Sequence, residues 1–153
     1  MTEVPRTEVP SVPLEFCDTN VVVYAFDRTA GEKRPQARAL LDRLWASGSG
    51  AISVQVLQEA YVVFTRRLRQ SLTVEDARAI VEDLSSWRVA VPSALDVLAA
   101  IDIAQRWKVS FWDAMILQAA LLAGARIVWS EDLSDGQMIA GVTIRNPFAA
   151  APR

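Results

Sequence analysis

The sequence predicts an α/β fold, a three-layer sandwich with a central, mainly parallel β-sheet between helices. Short apolar segments alternate with helical segments, most of ten or more residues, which is typical of parallel strands joined by crossover helices. The chain has 153 residues, 52% of them hydrophobic and 22% charged, so one domain can bury a core without disulfides. We expect that domain to span residues 14–148.

The first elements follow from an apolar segment and a proline. Leu14–Cys17 predicts a buried strand, and a short helix is expected at residues 20–26. Pro35 fits the first turn of a second helix, because its missing N–H is not needed there. That helix is expected to run to about Trp45 and to end at the Ser-Gly-Ser-Gly of residues 47–50.

The middle of the chain continues the alternation. Residues 51–53 predict a short strand, and the apolar spacing over residues 54–69 predicts one continuous helix. Thr73 is a good cap for the next helix, which is expected to end near Trp87. Residues 88–91 then predict a third strand, closed by a proline.

Two capped helices and two strands complete the predicted order. Ser93 caps a helix expected to reach Trp107, and Ser110 caps one expected to reach about Ala123. Gly124 is well placed to end the second of these, because glycine adopts the left-handed conformation of many helix ends. The last two strands are predicted at residues 126–130 and 142–145.

Composition excludes several classes of protein. The absence of histidine excludes Ser-His-Asp and Cys-His catalysis and histidine-bound zinc. A net charge of −2 is not that of a general polyanion binder. The single cysteine, Cys17, favours a reducing compartment. No apolar run is long enough to span a membrane, and no signal peptide is recognised, so we expect a cytoplasmic protein.

The two ends of the chain lie outside the predicted domain. Thr-Glu-Val-Pro occurs at residues 2–5 and again at 7–10, and proline at this density favours an extended, weakly ordered segment over residues 1–13. Residues 149–153 are expected to form a short C-terminal tail.

Four carboxylates are the candidate site residues. Asp18 and Asp132 each follow a predicted strand, and ligands of parallel sheets bind at the carboxyl ends of the strands. Glu59 lies on the helix after the second strand, and Asp113 in the first turn of an almost wholly apolar helix. Grouped carboxylates repel each other unless a cation joins them, and hard oxygen donors suit Mg²⁺ or Mn²⁺.

The first two acids have ordinary structural alternatives. Asp18 could simply cap the first helix, as Thr19 or Asn20 also could, although three such residues in a row leave one free to orient a carboxylate or a water. Glu59 lies at the border of its helix's apolar face, where spacing alone favours a solvated residue in contact with Arg66.

The other two acids also have alternatives. Ser110 and Asp113 fit a capping box, in which the acid bonds back to the cap residue. A helix that is apolar on every side is buried, however, so Asp113 would need a partner, and no basic residue lies near it on that helix. Asp132 lies in an acidic turn, and Asp135 could take its place or add a fifth ligand.

In this order the motifs resemble the PIN domain family, especially the VapC-type toxins of bacterial toxin–antitoxin pairs. The resemblance covers residues 14–148. The matching motifs, in chain order, are Asp18-Thr19-Asn20, Ile52-Ser53 with Glu59 six residues later, Ser110-Phe111-Trp112-Asp113-Ala114, and Ser130-Glu131-Asp132. The N-terminal residues 1–13 precede the usual start of the family.

The resemblance implies a Mg²⁺-dependent endoribonuclease, with Mn²⁺ as the other possible ion. The catalytic acids would be Asp18, Glu59, Asp113 and Asp132, and the metal ligands Asp18, Asp113 and Asp132. Asn20 and Ser130 would support them. The resemblance also implies RNA as substrate, a cognate antitoxin that lies across the active-site groove, and a homodimer.

Three alternatives are weighed against a toxin nuclease. A catalytically silent PIN fold would bind RNA or protein without cutting, and an RNA-processing nuclease would act outside any toxin–antitoxin pair. A phosphorelay receiver domain needs an acidic pair at the first strand and a lysine after a late strand. The lysines here are only Lys33 and Lys108, which argues against that class.

Basic and aromatic residues are weaker candidates for contact surfaces. Arg66, Arg67 and Arg69 could touch RNA phosphates, although a solvated helix end explains them equally well. Three tryptophans are candidates for a partner surface, with core packing as the alternative: Trp45, Trp87 and Trp107.

Overall fold

The protein forms a six-stranded sheet with helices packed on it, seen in a computed structural model that describes residues 12–149. The strands are β1 (Leu14–Cys17), β2 (Gly50–Ser53), β3 (Arg88–Ala90), β4 (Ala125–Trp129), β5 (Met138–Ile139) and β6 (Val142–Arg145). The helices are α1 (Thr19–Phe26), α2 (Lys33–Ser47), α3 (Val54–Val62), α4 (Val74–Leu84), α5 (Ala94–Trp107) and α6 (Phe111–Ala123). The predicted N-terminal segment and C-terminal tail lie almost entirely outside the described residues.

The strand order is β3-β2-β1-β4-β6-β5, and every neighbouring pair is parallel except β5 with β6. This mostly parallel, helix-flanked sheet confirms the predicted fold class. β1 lies in the middle, paired with β2 on one side and β4 on the other. The chain therefore reverses its direction of winding next to β1, and the carboxyl ends of β1, β2 and β4 meet at one edge.

Local sequence signals account for most helix boundaries. Ser53, Thr73 and Ser110 each accept a backbone N–H in the first turn of α3, α4 and α6, which satisfies one of the donors left unpaired there. Gly48 and Gly124 adopt left-handed conformations after α2 and α6, where glycine carries no steric penalty.

The core lies on both faces of the sheet. Phe16, Ile52 and Val128 on the three central strands are fully buried. Helix α6 packs across β2 and β4 and is itself covered by α5. Gly50 begins β2 against the ring of Trp87, where a Cβ would lie 2.4 Å from a ring carbon, so this close approach requires glycine.

A buried carboxylate on β1 was not predicted. Glu15 is 7% exposed and accepts two hydrogen bonds from Arg43, both 2.9 Å long, and a third of 3.0 Å from the indole of Trp129. The Arg43 bond outweighs burial and holds the pKa of Glu15 below its usual range. The paired, fully bonded charge explains how an acid fits in a central strand.

Several boundaries differ from the prediction. The helix expected over residues 54–69 gives way after Val62 to a π turn, Val63–Arg67. The short antiparallel strand β5 was missed, because two residues carry no periodicity. The expectation that α6 is buried on every side is wrong, since Trp112 is 64% exposed and Leu122 43%.

In the part of the chain that the structure describes, no helix is both long and apolar enough to cross a membrane.

Candidate active site at the carboxyl edge of the sheet

Asp18 and Ser130 lie side by side because they follow neighbouring strands. The Asp18 backbone N–H donates to the carbonyl of Trp129 over 2.9 Å, which continues the ladder between β1 and β4. The Ser130 hydroxyl donates to Asp18 Oδ2 over 2.8 Å, and the Thr19 N–H to Asp18 Oδ1 over 2.7 Å. Asp18 thus does cap α1, as the alternative required, and its carboxylate is also fixed at the end of the central strand.

Glu59 reaches the same edge from α3. Its Oε2 accepts the Thr19 hydroxyl over 2.7 Å, and its Oε1 accepts Gln55 Nε2 over 2.9 Å. Among the described residues, Glu59 forms no ion pair with Arg66, so the contact given as the alternative is not formed. Glu59 is exposed to solvent, but its side chain is tied to the residue that follows Asp18.

Asp132 is held by Asn20 rather than standing free in an acidic turn. Asn20 Nδ2 donates to Asp132 Oδ2 over 2.9 Å, and Asn20 Oδ1 accepts the Glu131 N–H over 3.2 Å. The Asp132 N–H donates to the Ser130 hydroxyl over 3.1 Å. Asp135, the other candidate, instead accepts the Asn146 N–H over 2.9 Å, so its carboxylate is engaged at the far end of the loop.

Asp113 lies half-buried in the first turn of α6. The Ser110 hydroxyl accepts its N–H over 3.1 Å, so the expected cap is present. Burial raises the pKa of the Asp113 carboxyl, the Ser110 hydroxyl opposes the rise, and the charges of Asp132 and Glu59 add to it. Asp113 is therefore close enough to Asp132 and to Glu59 to be repelled by both.

The most strongly perturbed acid is Asp18. It is 5% exposed, and burial raises its pKa to about 6, against the opposing hydrogen bonds from Ser130 and Thr19 and with added repulsion from Asp132 and Asp113. A carboxylate that is buried, bonded and surrounded by like charge is poorly compensated near neutral pH. A cation would relieve that energy directly.

The donor set fits a hard divalent cation in its chemistry. All four candidates offer carboxylate oxygens, and the sequence contains no histidine. Within residues 12–149, no three acidic side chains stand close enough together to hold one ion. Glu59 and Asp132 are exposed to solvent, and each is held in place by side-chain hydrogen bonds, Glu59 to Thr19 and Gln55 and Asp132 to Asn20.

The raised pKa of Asp18 predicts how the stability of the protein changes with pH. Its pKa is raised on folding from 3.8 to about 6, so the native state binds this proton more tightly than the unfolded state does. Its contribution to the free energy of unfolding is therefore lost as pH rises from about 4 to about 6, by about 2–3 kcal/mol. Measured by urea denaturation in a chelator, Asp18→Asn should gain stability relative to wild type across that window. Parallel pH profiles of the two proteins would contradict this.

Two contributions to the site were missed by reasoning from the sequence. Thr19 was considered as a cap, whereas its hydroxyl holds Glu59. Lys33 bonds to Glu131, and its ammonium lies 4.9 Å from the ring centre of Tyr24 and 5.5 Å from that of Phe148, which secures the loop carrying Asp132. Thr19 and Glu59, like Lys33 and Glu131, are far apart in the sequence, so local sequence patterns could not predict these contacts. Thr19 does, however, lie inside the Asp-Thr-Asn motif.

Comparisons with known proteins identify the family and the fold. The sequence profile of the PIN domain matches residues 16–134 of the chain. A chain of the DNA-bound VapBC2 complex from Rickettsia felis superposes with a TM-score of 0.63 at 18% identity, covering 87% of this chain and 98% of that one. A chain of a toxin–antitoxin complex from Klebsiella pneumoniae gives 0.65 at 20% identity, covering 89% and 99%.

A third solved structure is similar over a smaller share of the chain. The sarcin–ricin loop-cleaving toxin VapC20 from Mycobacterium tuberculosis gives a TM-score of 0.56 at 20% identity, covering 74% of this chain and 86% of that one. Among curated protein sequences, no significant match is found. The TM-scores show that the fold is shared, and at identities this low the similarity extends to the fold alone.

Proposed function

Because the chain belongs to the PIN domain family, we propose that it is a Mg²⁺- or Mn²⁺-dependent endoribonuclease and the toxin of a toxin–antitoxin pair. PIN domains generally use divalent metal ions. The observation that carries the proposal is the position of the four acids near one edge of the sheet, where burial and the charges of neighbouring acids raise the pKa of Asp18 and of Asp113.

Each acid has a distinct place in the proposal. Asp18, Asp113 and Asp132 would hold the ion, and Glu59 would complete the shell or position the attacking water. When bound, a divalent cation supplies a water of lowered pKa and positive charge against the charge that develops on the phosphate. Ser130 and Thr19 fix the Asp18 carboxylate in one orientation, so its lone pairs are preorganised rather than free to rotate.

The antitoxin partner is supported by the solved structures with this fold. Two of them are VapBC or toxin–antitoxin complexes from Rickettsia felis and Klebsiella pneumoniae, and the toxin from Mycobacterium tuberculosis cleaves the sarcin–ricin loop. We extend to this chain the same class of RNA substrate, a cognate antitoxin and a homodimer in the cytoplasm. A PIN module that binds without cutting is the second candidate, favoured by the finding that no three acids in the described residues lie close enough together to hold one ion.

The deciding experiment is metal removal. Purified protein, free of co-purified antitoxin, is incubated with structured RNA in Mg²⁺, in Mn²⁺ and in EDTA, and the products are resolved by electrophoresis. We expect cutting with a divalent ion, loss of cutting in EDTA and recovery when the ion is returned in excess. Cutting undiminished by EDTA would refute the metal-dependent mechanism, and folded protein that cuts no RNA with either ion would favour the binding module.

A further inference from the structure

A pocket of about 410 Å³ lies beside Glu59, one of the four acids, and the other three acids do not line it. It is lined by Thr19, Gln58, Glu59, Val62, Val63 and Arg67. Its volume falls in the range of about 300–1,000 Å³ common for small-molecule sites. Thr19 and Glu59 both line the pocket and are joined by a hydrogen bond, so whatever occupies the pocket lies next to the residue that follows Asp18.

The π turn explains how Arg67 comes to line this pocket. Arg67 is eight residues after Glu59, and in a regular α-helix it would lie about 80° around the helix axis from Glu59. Here the Leu68 N–H donates to the Val63 carbonyl over 3.1 Å, five residues back. The rotation per residue is smaller in such a turn, which reduces the angle between Arg67 and Glu59. Arg67 therefore shares a face with Glu59. π turns of this kind occur often at functional sites.

The lining matches the parts of a nucleotide. Val62, which is 38% exposed, and Val63 offer an apolar surface for a base. Gln58 carries both a donor and an acceptor for a base edge. Arg67 is the one cation among the lining residues, and in the described part of the chain it forms no ion pair. The guanidinium of Arg67 can therefore bind a phosphate through paired hydrogen bonds.

Building on the ribonuclease function proposed above, we propose that this pocket binds the nucleotide next to the scissile phosphate of single-stranded RNA. Arg67 binds the phosphate of that nucleotide, Gln58 reads its base edge, and Val62 and Val63 pack against the base. The pocket thereby aligns the strand across the acids and offsets the repulsion between RNA and Glu59.

Charge complementarity selects RNA as the occupant. The pocket places one acid at the end near the metal site and one arginine among its other walls, which fits a strand that presents one phosphate to the cation and the next to Arg67. Successive phosphates recur at every nucleotide, whereas a protein segment would have to supply a basic and an acidic side chain at the same spacing.

The test separates binding from cleavage. Asp113→Asn protein in Mg²⁺ is titrated with a fluorescein-labelled single-stranded RNA of randomised sequence, and anisotropy is followed at several salt concentrations. Adding Arg67→Gln should weaken binding about tenfold and reduce the salt slope by about 0.7, the share of one phosphate contact on a single strand. Gln58→Ala should weaken the base preference in a selection from the same pool while leaving the salt slope unchanged.

Arg66→Gln is the matched control, because it removes the same charge from the neighbouring residue, which does not line the pocket. Equal effects of Arg66→Gln and Arg67→Gln on affinity and salt slope would overturn the inference and leave the pocket to a protein segment, even if wild-type protein cuts RNA. Arg67-dependent binding by a wild-type protein that cuts nothing would uphold the pocket and refute the nuclease. RNA that does not bind at all would refute both.

Discussion

Replacing Asp113 by asparagine is expected to lower RNA cleavage by on the order of 10³-fold or more, with the fold intact. The substitution keeps the size of the side chain but removes a negative charge that the structure places within range of Asp132 and Glu59. Without that charge the site binds a divalent cation more weakly and orients it less well. Single-turnover cleavage at saturating protein measures the effect on the chemical step directly.

Stability should move little in the same variant. The cap at the start of α6 uses the Asp113 backbone N–H and the Ser110 hydroxyl, and neither changes. Because burial raises the pKa of the carboxyl, a neutral amide removes an unfavourable charge from the folded state. Urea denaturation should therefore show equal or higher stability.

Asp102→Asn is the matched control, an exposed acid on α5, the helix that covers α6. It should cut RNA at the wild-type rate and bind Mn²⁺ with wild-type affinity in calorimetry. If folded Asp113→Asn protein retained wild-type cleavage, Asp113 could not be a metal ligand, and the proposed site would be wrong.

The strand ends were the part of the site most open to prediction. Asp18 and Asp132 follow two segments that could be recognised as buried strands, and the rule for the carboxyl edge of parallel sheets predicts that both lie at that edge. In the structure Ser130, two residues before Asp132, donates a 2.8 Å hydrogen bond to Asp18. The fold class was predictable for the same reason, since it depends on the order of elements and not on their details.

The helical contributions could not be derived in the same way. Spacing placed Glu59 at the border of a helix and favoured a contact with Arg66, because a helical wheel describes only one element. The actual partner, Thr19, lies 40 residues earlier on a different element. The π turn at Val63–Arg67 was also unforeseen, since its apolar spacing looks like that of an ordinary helix.

The choice between Asp132 and Asp135 was left open by the sequence because both follow the same strand. Tertiary hydrogen bonds distinguish them. Asp132 is bonded to Asn20 on α1, whereas Asp135 is bonded to the Asn146 backbone after β6. That difference favours Asp132 as the fourth acid, and cleavage should fall in Asp132→Asn and not in Asp135→Asn.

Asn20→Ala is expected to lower RNA cleavage and Mn²⁺ affinity by about 10–100-fold, the usual effect of losing a group that orients a metal ligand. Asn20 bonds both the Asp132 carboxylate and the Glu131 backbone. The loop after β4 would remain tied by Lys33, so the acid would stay nearby without a fixed orientation. Single-turnover cleavage across a range of Mn²⁺ concentrations should then show a higher metal requirement, with part of the loss recovered at saturation.

Asn146→Ala provides the comparison, because its side chain accepts the Phe148 N–H over 2.8 Å and so secures the other end of the same region. If Asn20 acts by orienting Asp132, the metal requirement should rise in Asn20→Ala alone, whereas a general loosening of the loop would raise it in both. Equal metal requirements in Asn20→Ala and wild type would show that Asp132 needs no such support. The comparison is informative because Asn20 is the residue whose side chain bonds the Asp132 carboxylate directly.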